Sequence, residues 1–248
     1  MSFATKITDA TFTSPRRGRI IKDRTKLVGE YFLGVDQAST IKNHANAAAP
    51  MTVQGSPIYG AHSVTVKSHA TLGYGFRTGI VPNDDGTLIC LRKRSNQATS
   101  VEVVCTPNPS RWGFHEFGGD LYGGNGEGSQ NLGASRTIAG QFASVFFEAI
   151  VLSPQNPQLL TGGYGKLYHY DDGDGVQHEI VSAALRSTGR GPSMQLCIGT
   201  TSLTDSVAGS FQEVFYVAIV NRPLPPAEIG DVYTRAKAFY AALGVPIV

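Results

Sequence analysis

A helical stripe occurs in one place along this 248-residue chain, at its end, and the apolar residues before it come in short runs. Nine such runs recur: Leu27 to Leu33, Ser63 to Val66, Thr87 to Leu91, Val101 to Cys105, Phe142 to Leu152, Lys166 to Tyr170, Glu179 to Leu185, Gln195 to Ile198 and Val214 to Val220. Runs of this length bounded by glycine, proline and aspartate signal strands joined by tight turns. The 29 glycines and 13 prolines, against only 16% charged residues, provide the material for those turns. Asp84-Asp85-Gly86 ahead of Thr87 is a hairpin cue, because glycine takes a positive φ without steric cost. The pattern predicts an all-β chain, and this length suits one large sandwich.

Two runs are apolar on both faces. In 145–151 the two-residue period puts Val145, Phe147, Ala149 and Val151 on one side and Phe146, Glu148 and Ile150 on the other. In 215–220, Phe215, Val217 and Ile219 oppose Tyr216, Ala218 and Val220. Strands of this kind belong in the middle of a sheet, with the second face covered by a loop or a neighbouring subunit. After them, Pro225-Pro226-Ala227-Glu228 opens a helix carrying Ile229, Val232, Tyr233, Ala236, Phe239, Tyr240 and Leu243 on one stripe, and Gly244 ends it. A lone helix of roughly 15 residues is marginal in water, so it must lie across the sandwich.

The formal charge of +2 is unevenly placed. Residues 1–26 hold seven Lys and Arg against Asp9 and Asp23, leaving the rest of the chain acidic. These residues read as an N-terminal arm or linker, and 27–248 as the sandwich. An acidic body offers no electrostatic footprint for nucleic acid. Cys90, Cys105 and Cys197 are odd in number and widely spaced, which argues against zinc and a disulfide framework, with a Cys90–Cys105 pair left open. The N-terminus shows no signal peptide, and no apolar stretch has membrane-spanning length, so synthesis in the cytoplasm without membrane insertion is expected.

The segment from Gly209 through Val220 into Asn221-Arg222-Pro223-Leu224 and Glu228-Ile229, with Tyr233 one turn on, resembles the closing motif of laminin G-like, concanavalin A-like domains. That resemblance implies a jelly-roll β-sandwich of two antiparallel sheets with a short C-terminal helix. Asn43-His44-Ala45-Asn46, Ala47 to Pro50, Gly55-Ser56-Pro57 and Phe76-Arg77-Thr78-Gly79-Ile80 look like such domains in bacteriophage tail fibres and other virion surface proteins. The implied function is a lectin-like module binding a host glycan or receptor as part of a tail fibre or spike. The alternatives are a capsid- or tail-decorating protein without a sugar ligand, and a polysaccharide-cleaving enzyme on the same fold. Other virion proteins, a host surface glycan and a homo-oligomer, a trimer among the options, are the implied partners, and the virion the implied location.

Candidate sites follow from polar and aromatic concentrations. Tyr168-His169-Tyr170-Asp171-Asp172-Gly173-Asp174 offers Tyr168, Tyr170 and Asp172 to a sugar, and Asp171 with Asp174 to a calcium ion, although a plain hairpin turn explains the same residues. No cofactor is required. Trp112, the only tryptophan, with His115 and Tyr122 suits stacking on a carbohydrate, or equally a core or subunit contact. Arg16, Arg17 and Arg19 are the candidate docking residues of the arm. Glu148 stands alone on its strand, whereas retaining hydrolysis needs a second carboxyl about 5 Å away, so a non-enzymatic chain is expected.

Overall fold

The computed structural model describes residues 20–67, 73–83, 85–93, 101–105, 113–117, 120–124, 131–132, 144–152, 165–170, 176–182, 195–199 and 211–248. Among them two antiparallel sheets lie face to face, and the helix Pro226–Ala241 closes one outer side. The strands are β1 (Leu27–Phe32), β2 (Thr52–Gln54), β3 (Ile58–Tyr59), β4 (Val64–Lys67), β5 (Gly75–Arg77), β6 (Gly86–Lys93), β7 (Val101–Cys105), β8 (Gly113–Phe117), β9 (Asp120–Gly124), β10 (Asn131–Leu132), β11 (Val145–Leu152), β12 (Gly165–Tyr170), β13 (His178–Ser182), β14 (Cys197–Gly199) and β15 (Phe211–Val220). The first sheet runs β13-β12-β11-β6-β15-β4-β3, and the second runs β10-β9-β8-β7-β14-β5-β2. β15 is long enough to pair with β4 along its first half and β1 along its second, on the edge away from β6.

Central strands of the first sheet are apolar on both faces because both are buried. Leu88, Cys90, Ile150, Leu167, Val217 and Ile219 meet Phe76, Val104, Phe114 and Ile198 of the second sheet. On the opposite face Ile89, Leu91, Phe147, Ala149 and Val151 lie under Ile229, Val232, Tyr233, Ala236 and Tyr240 of the helix. Each large side chain buried in this way contributes about 1.5–3 kcal/mol, which holds a helix that would be marginal alone. Phe146 and Ile150 are 2% and 0% exposed within the chain itself, so the subunit contact expected at that face is corrected: the second sheet covers it. Phe215 also departs from strict alternation. A bulge between Val214 and Tyr216 turns Phe215 to the helix side beside Tyr216, leaving Val217 and Ile219 between the sheets.

The closing motif is a mechanical joint. The Arg222 guanidinium grips Glu228 with two hydrogen bonds (2.9 and 2.6 Å) and reaches Asp23 (2.8 Å) and the Thr25 carbonyl (3.2 Å). Leu224 and Ile229 are buried on either side of the turn, and Thr87 Oγ1 accepts from the Leu224 amide and donates to the Arg222 carbonyl. Asn43 is equally structural. Its side-chain oxygen accepts from the amides of Glu30, Ala45 and Asn46, and its amide donates to the Val28 carbonyl.

Ile20 and Ile21, placed by sequence in the arm, are 2% and 1% exposed and join the helix-side core. Packed chain therefore starts ahead of residue 27. Cys90 is a buried free thiol in the first sheet, while Cys105 lies in the second, opposite Cys197 in register, so a Cys90–Cys105 bond does not form.

Glu30 fastens the 20–26 segment to the sheet. Fully buried, it accepts from the Tyr216 hydroxyl (2.9 Å) and from Arg24 (3.0 Å), and Arg24 also reaches the His44 carbonyl. Burial pushes the Glu30 carboxyl above its ordinary value of 4.5, outweighing the Tyr216 and Arg24 bonds that pull it down. A carboxyl raised in the folded state contributes stability that is fully present below about pH 4.5 and fades as pH rises through the folded value. In Glu30→Gln that dependence disappears. The stability of the natural chain relative to Glu30→Gln should fall between pH 4 and pH 7 in denaturant titrations; a difference that grows with pH would contradict the assignment.

Candidate functional site

At the end of the first sheet beyond the helix, an open groove of about 490 Å³ lies between the 60–63 turn, the ends of β6, β11 and β15, and the tail 244–248. That volume falls in the range of small-molecule sites. Alternation along β6 and β15 produces its polar wall. Arg92 and Gln212 point inward between the sheets, so Lys93 and Glu213 point outward. Glu213 accepts from Lys93 Nζ (2.7 Å) and from Ser63 Oγ (2.6 Å), and the Lys93 amine stands 5.7 Å from the centre of the buried Phe215 ring. Both charged side chains remain about one-third exposed, at 35% and 32%. Val145, Val245 and Pro246 complete an apolar wall, and His62 lies at the rim. The groove thus sets a carboxylate, an amine and a hydroxyl over a nonpolar base. This combination can bond hydroxyl groups and cover C–H surface together.

A backbone irregularity borders the groove. Gly34 and Val35 have φ of 121° and 66°, the latter rare for a β-branched residue, and Val35 donates to the Gly60 carbonyl at the start of the rim turn.

Directly inside this site lies a buried ion pair. Arg92 and Glu148 are both 0% exposed and joined by two hydrogen bonds (2.7 and 3.2 Å), with Gln212 accepting from a third guanidinium nitrogen (3.1 Å) and the Phe146 ring 5.1 Å away. His169 is the cross-strand neighbour of Glu148 and is also buried. Glu148, the acid singled out by sequence, is therefore sealed between the sheets against Arg92 and does not face the groove.

The sequence-derived candidates are dispersed. Tyr168 and Tyr170 are 1% and 5% exposed, and Tyr170 stacks on Tyr233 of the helix with ring centres 3.6 Å apart. Neither offers a face to a sugar, because the helix covers that side of β12. His115 and Tyr122 are brought opposite each other in register on β8 and β9. Trp112, Asp171, Asp172, Asp174, Arg16, Arg17 and Arg19 lie outside the described residues. Sequence reasoning missed Glu213, Lys93, Ser63 and His62. In the sequence Lys93 belongs to the charge run Arg92-Lys93-Arg94, which reads as a solvated loop, and Glu213 lies inside the closing motif; their outward alternation beside buried neighbours is the signal that finds them.

No known protein-family model matches this chain, and no curated protein matches it in sequence. Solved structures do match. A sialidase of Trypanosoma rangeli in complex with sialic acid superposes with a TM-score of 0.59 at 12% identity, over 95% of this chain and 39% of the sialidase. The binding domain of botulinum neurotoxin DC in complex with SialylT gives 0.58 at 14% identity, over 85% of this chain and 52% of that one. The likeness is one of fold. This chain thus spans about two-fifths of the sialidase and about half of the toxin domain. The expectation of a non-enzyme is overturned by these matches, because another of them is the same sialidase held as a covalent intermediate with difluorosialic acid, at 13% identity and a TM-score of 0.59. An enzyme is among the structures that share this architecture, so architecture together with a lone strand acid does not exclude catalysis.

Proposed function

We propose that this chain is a lectin-like carbohydrate-binding module, with the Lys93–Glu213–Ser63 groove as its sugar site. The observation that carries the reading is Glu213. Its carboxylate is one-third open to solvent, fixed by two short bonds, and set beside an apolar wall in a groove of ligand size. A carboxylate so held accepts from paired hydroxyls, and nonpolar walls cover the C–H face of a pyranose. The named ligands of the matched structures, sialic acid on the sialidase and SialylT on the toxin domain, fit the same reading. The tail-fibre-like segments from Asn43 to Ile80 support placing the module on a bacteriophage virion. The residues ahead of Ile20, with Arg16, Arg17 and Arg19, would then dock it to the assembly.

An array of bacterial surface glycans tests the sugar site. The natural chain should bind a defined subset, and Glu213→Gln should weaken that binding about tenfold, the effect of losing a charge-assisted hydrogen bond. Unchanged affinity in Glu213→Gln, with binding lost in Trp112→Ala, would move the site to the strands carrying His115 and Tyr122. Absence of binding to any glycan would leave a purely structural decoration of the particle.

A further inference from the structure

Beyond the groove the outer face of the first sheet continues, and β15 carries a row of side chains along it. Phe215 lies under the groove, Glu213 on its wall, and Phe211 beyond, while the intervening Gln212 and Val214 are buried at 2% and 0%. Phe211 is 45% exposed. It does not stand as an isolated surface phenyl. Its cross-strand partner Lys67 places an amine 5.6 Å from the ring centre, and Tyr74, bonded to Lys67 through both backbone groups, brings a second ring to 6.3 Å. Three paired segments therefore hold a pair of aromatic rings with an amine over one of them, further along the strand that carries Glu213.

At about 3.3 Å per residue, Phe211 and Phe215 lie roughly 13 Å apart along the strand. One pyranose ring does not reach that far. The chemistry along the row alternates in a useful way: nonpolar base, carboxylate with amine, then a half-exposed aromatic ring with a second amine over it. A chain of linked sugars presents C–H faces and hydroxyl edges along its length, which is what such a row can stack on and bond. The positions are also rigid, because they project from a paired strand instead of a loop.

We infer that β15 is the floor of an extended track for a linear oligosaccharide, with Glu213 and Lys93 holding one sugar and Phe211, Lys67 and Tyr74 stacking a later unit. This rests on the carbohydrate reading above and adds the length and shape of the ligand to it. Among the described residues the outward side of the track ends at β3, which is only two residues long beside β4, and whose Ile58, opposite Thr65, is 59% exposed.

The test is a ladder of immobilised linear oligosaccharides of one to four units in hexose, N-acetylhexosamine and sialylated series. For the natural chain the ratio of tetramer to monomer affinity should be tenfold or more. In Phe211→Ala the ratio should collapse towards one, with circular dichroism confirming the fold, and in Glu213→Gln affinity should drop at every length. A ratio near one in the natural chain, or a full ratio retained in Phe211→Ala, overturns the track while the groove stands. Failure of the natural chain to bind any length in any series overturns the track and the carbohydrate reading together.

Discussion

Replacing Glu148 by leucine should lower the unfolding free energy by about 3–5 kcal/mol, because it leaves the Arg92 guanidinium charged, dry and without its carboxylate. Arg92 has no exposed surface through which water could repay the loss. The converse change, Arg92→Met, should cost a similar amount by removing the arginine charge from the buried Glu148 carboxylate. The informative variant is the pair. Arg92→Met with Glu148→Leu removes both charges and should recover most of the loss, since a buried ion pair exchanged for packed apolar groups is often near neutral. Urea denaturation of the four chains forms a double-mutant cycle with a large coupling term. Additive losses would show that the pair is not sealed between the sheets.

The second large effect concerns Gly75. It pairs in register with Gly199, and a Cβ built at Gly75 would run into the carbonyl oxygen of Ile198. Backbone cannot rotate aside as a side chain can, so Gly75→Ala must push β5 and β14 apart. Its expected cost is about 3 kcal/mol, at the upper end of overpacking penalties. Gly199→Ala adds a positive φ of 63° to a clash with the Val66 side chain, and should be at least as damaging. Thermal unfolding of Gly75→Ala within a few degrees of the natural chain would mean that β5 and β14 lie less closely side by side than described.

Both effects arise where an interior contact is made by residues far apart in sequence, and this marks the limit of reading the chain as a string. The first sheet was legible. Each of the nine apolar runs contains or overlaps a strand, and the central ones announced themselves through two apolar faces, as burial on both sides requires. Most of the second sheet was not: of its seven strands only β7 and β14 overlap those runs. β8, β9 and β10 carry glycines, a histidine and acids without regular alternation, and nothing in Gly113 to Gly124 marks two paired strands until their partners are present. Such short strands owe their conformation to the ladder that holds them, because their own residues have little preference for it.

The same division runs through the site. Tyr168 and Tyr170 were attractive because aromatic and acidic residues adjoin there, yet adjacency along a strand says nothing about what covers it, and the helix stacks Tyr233 on Tyr170. Glu213 and Lys93 were unremarkable as sequence, being 120 residues apart, and became a pair only when β15 was laid beside β6.

Local chemistry was enough to determine the all-β character, the central strands, and the closing helix with its start at the prolines and its stop at Gly244. These rest on period, turn preference and capping, which act over a few residues. Tertiary structure alone decided which face of each strand met the second sheet, where the bulge turned Phe215 outward, and which charged groups were sealed together or left open in a groove. Those outcomes depend on pairing register and on what lies across a sheet, neither of which is carried by any short stretch of chain.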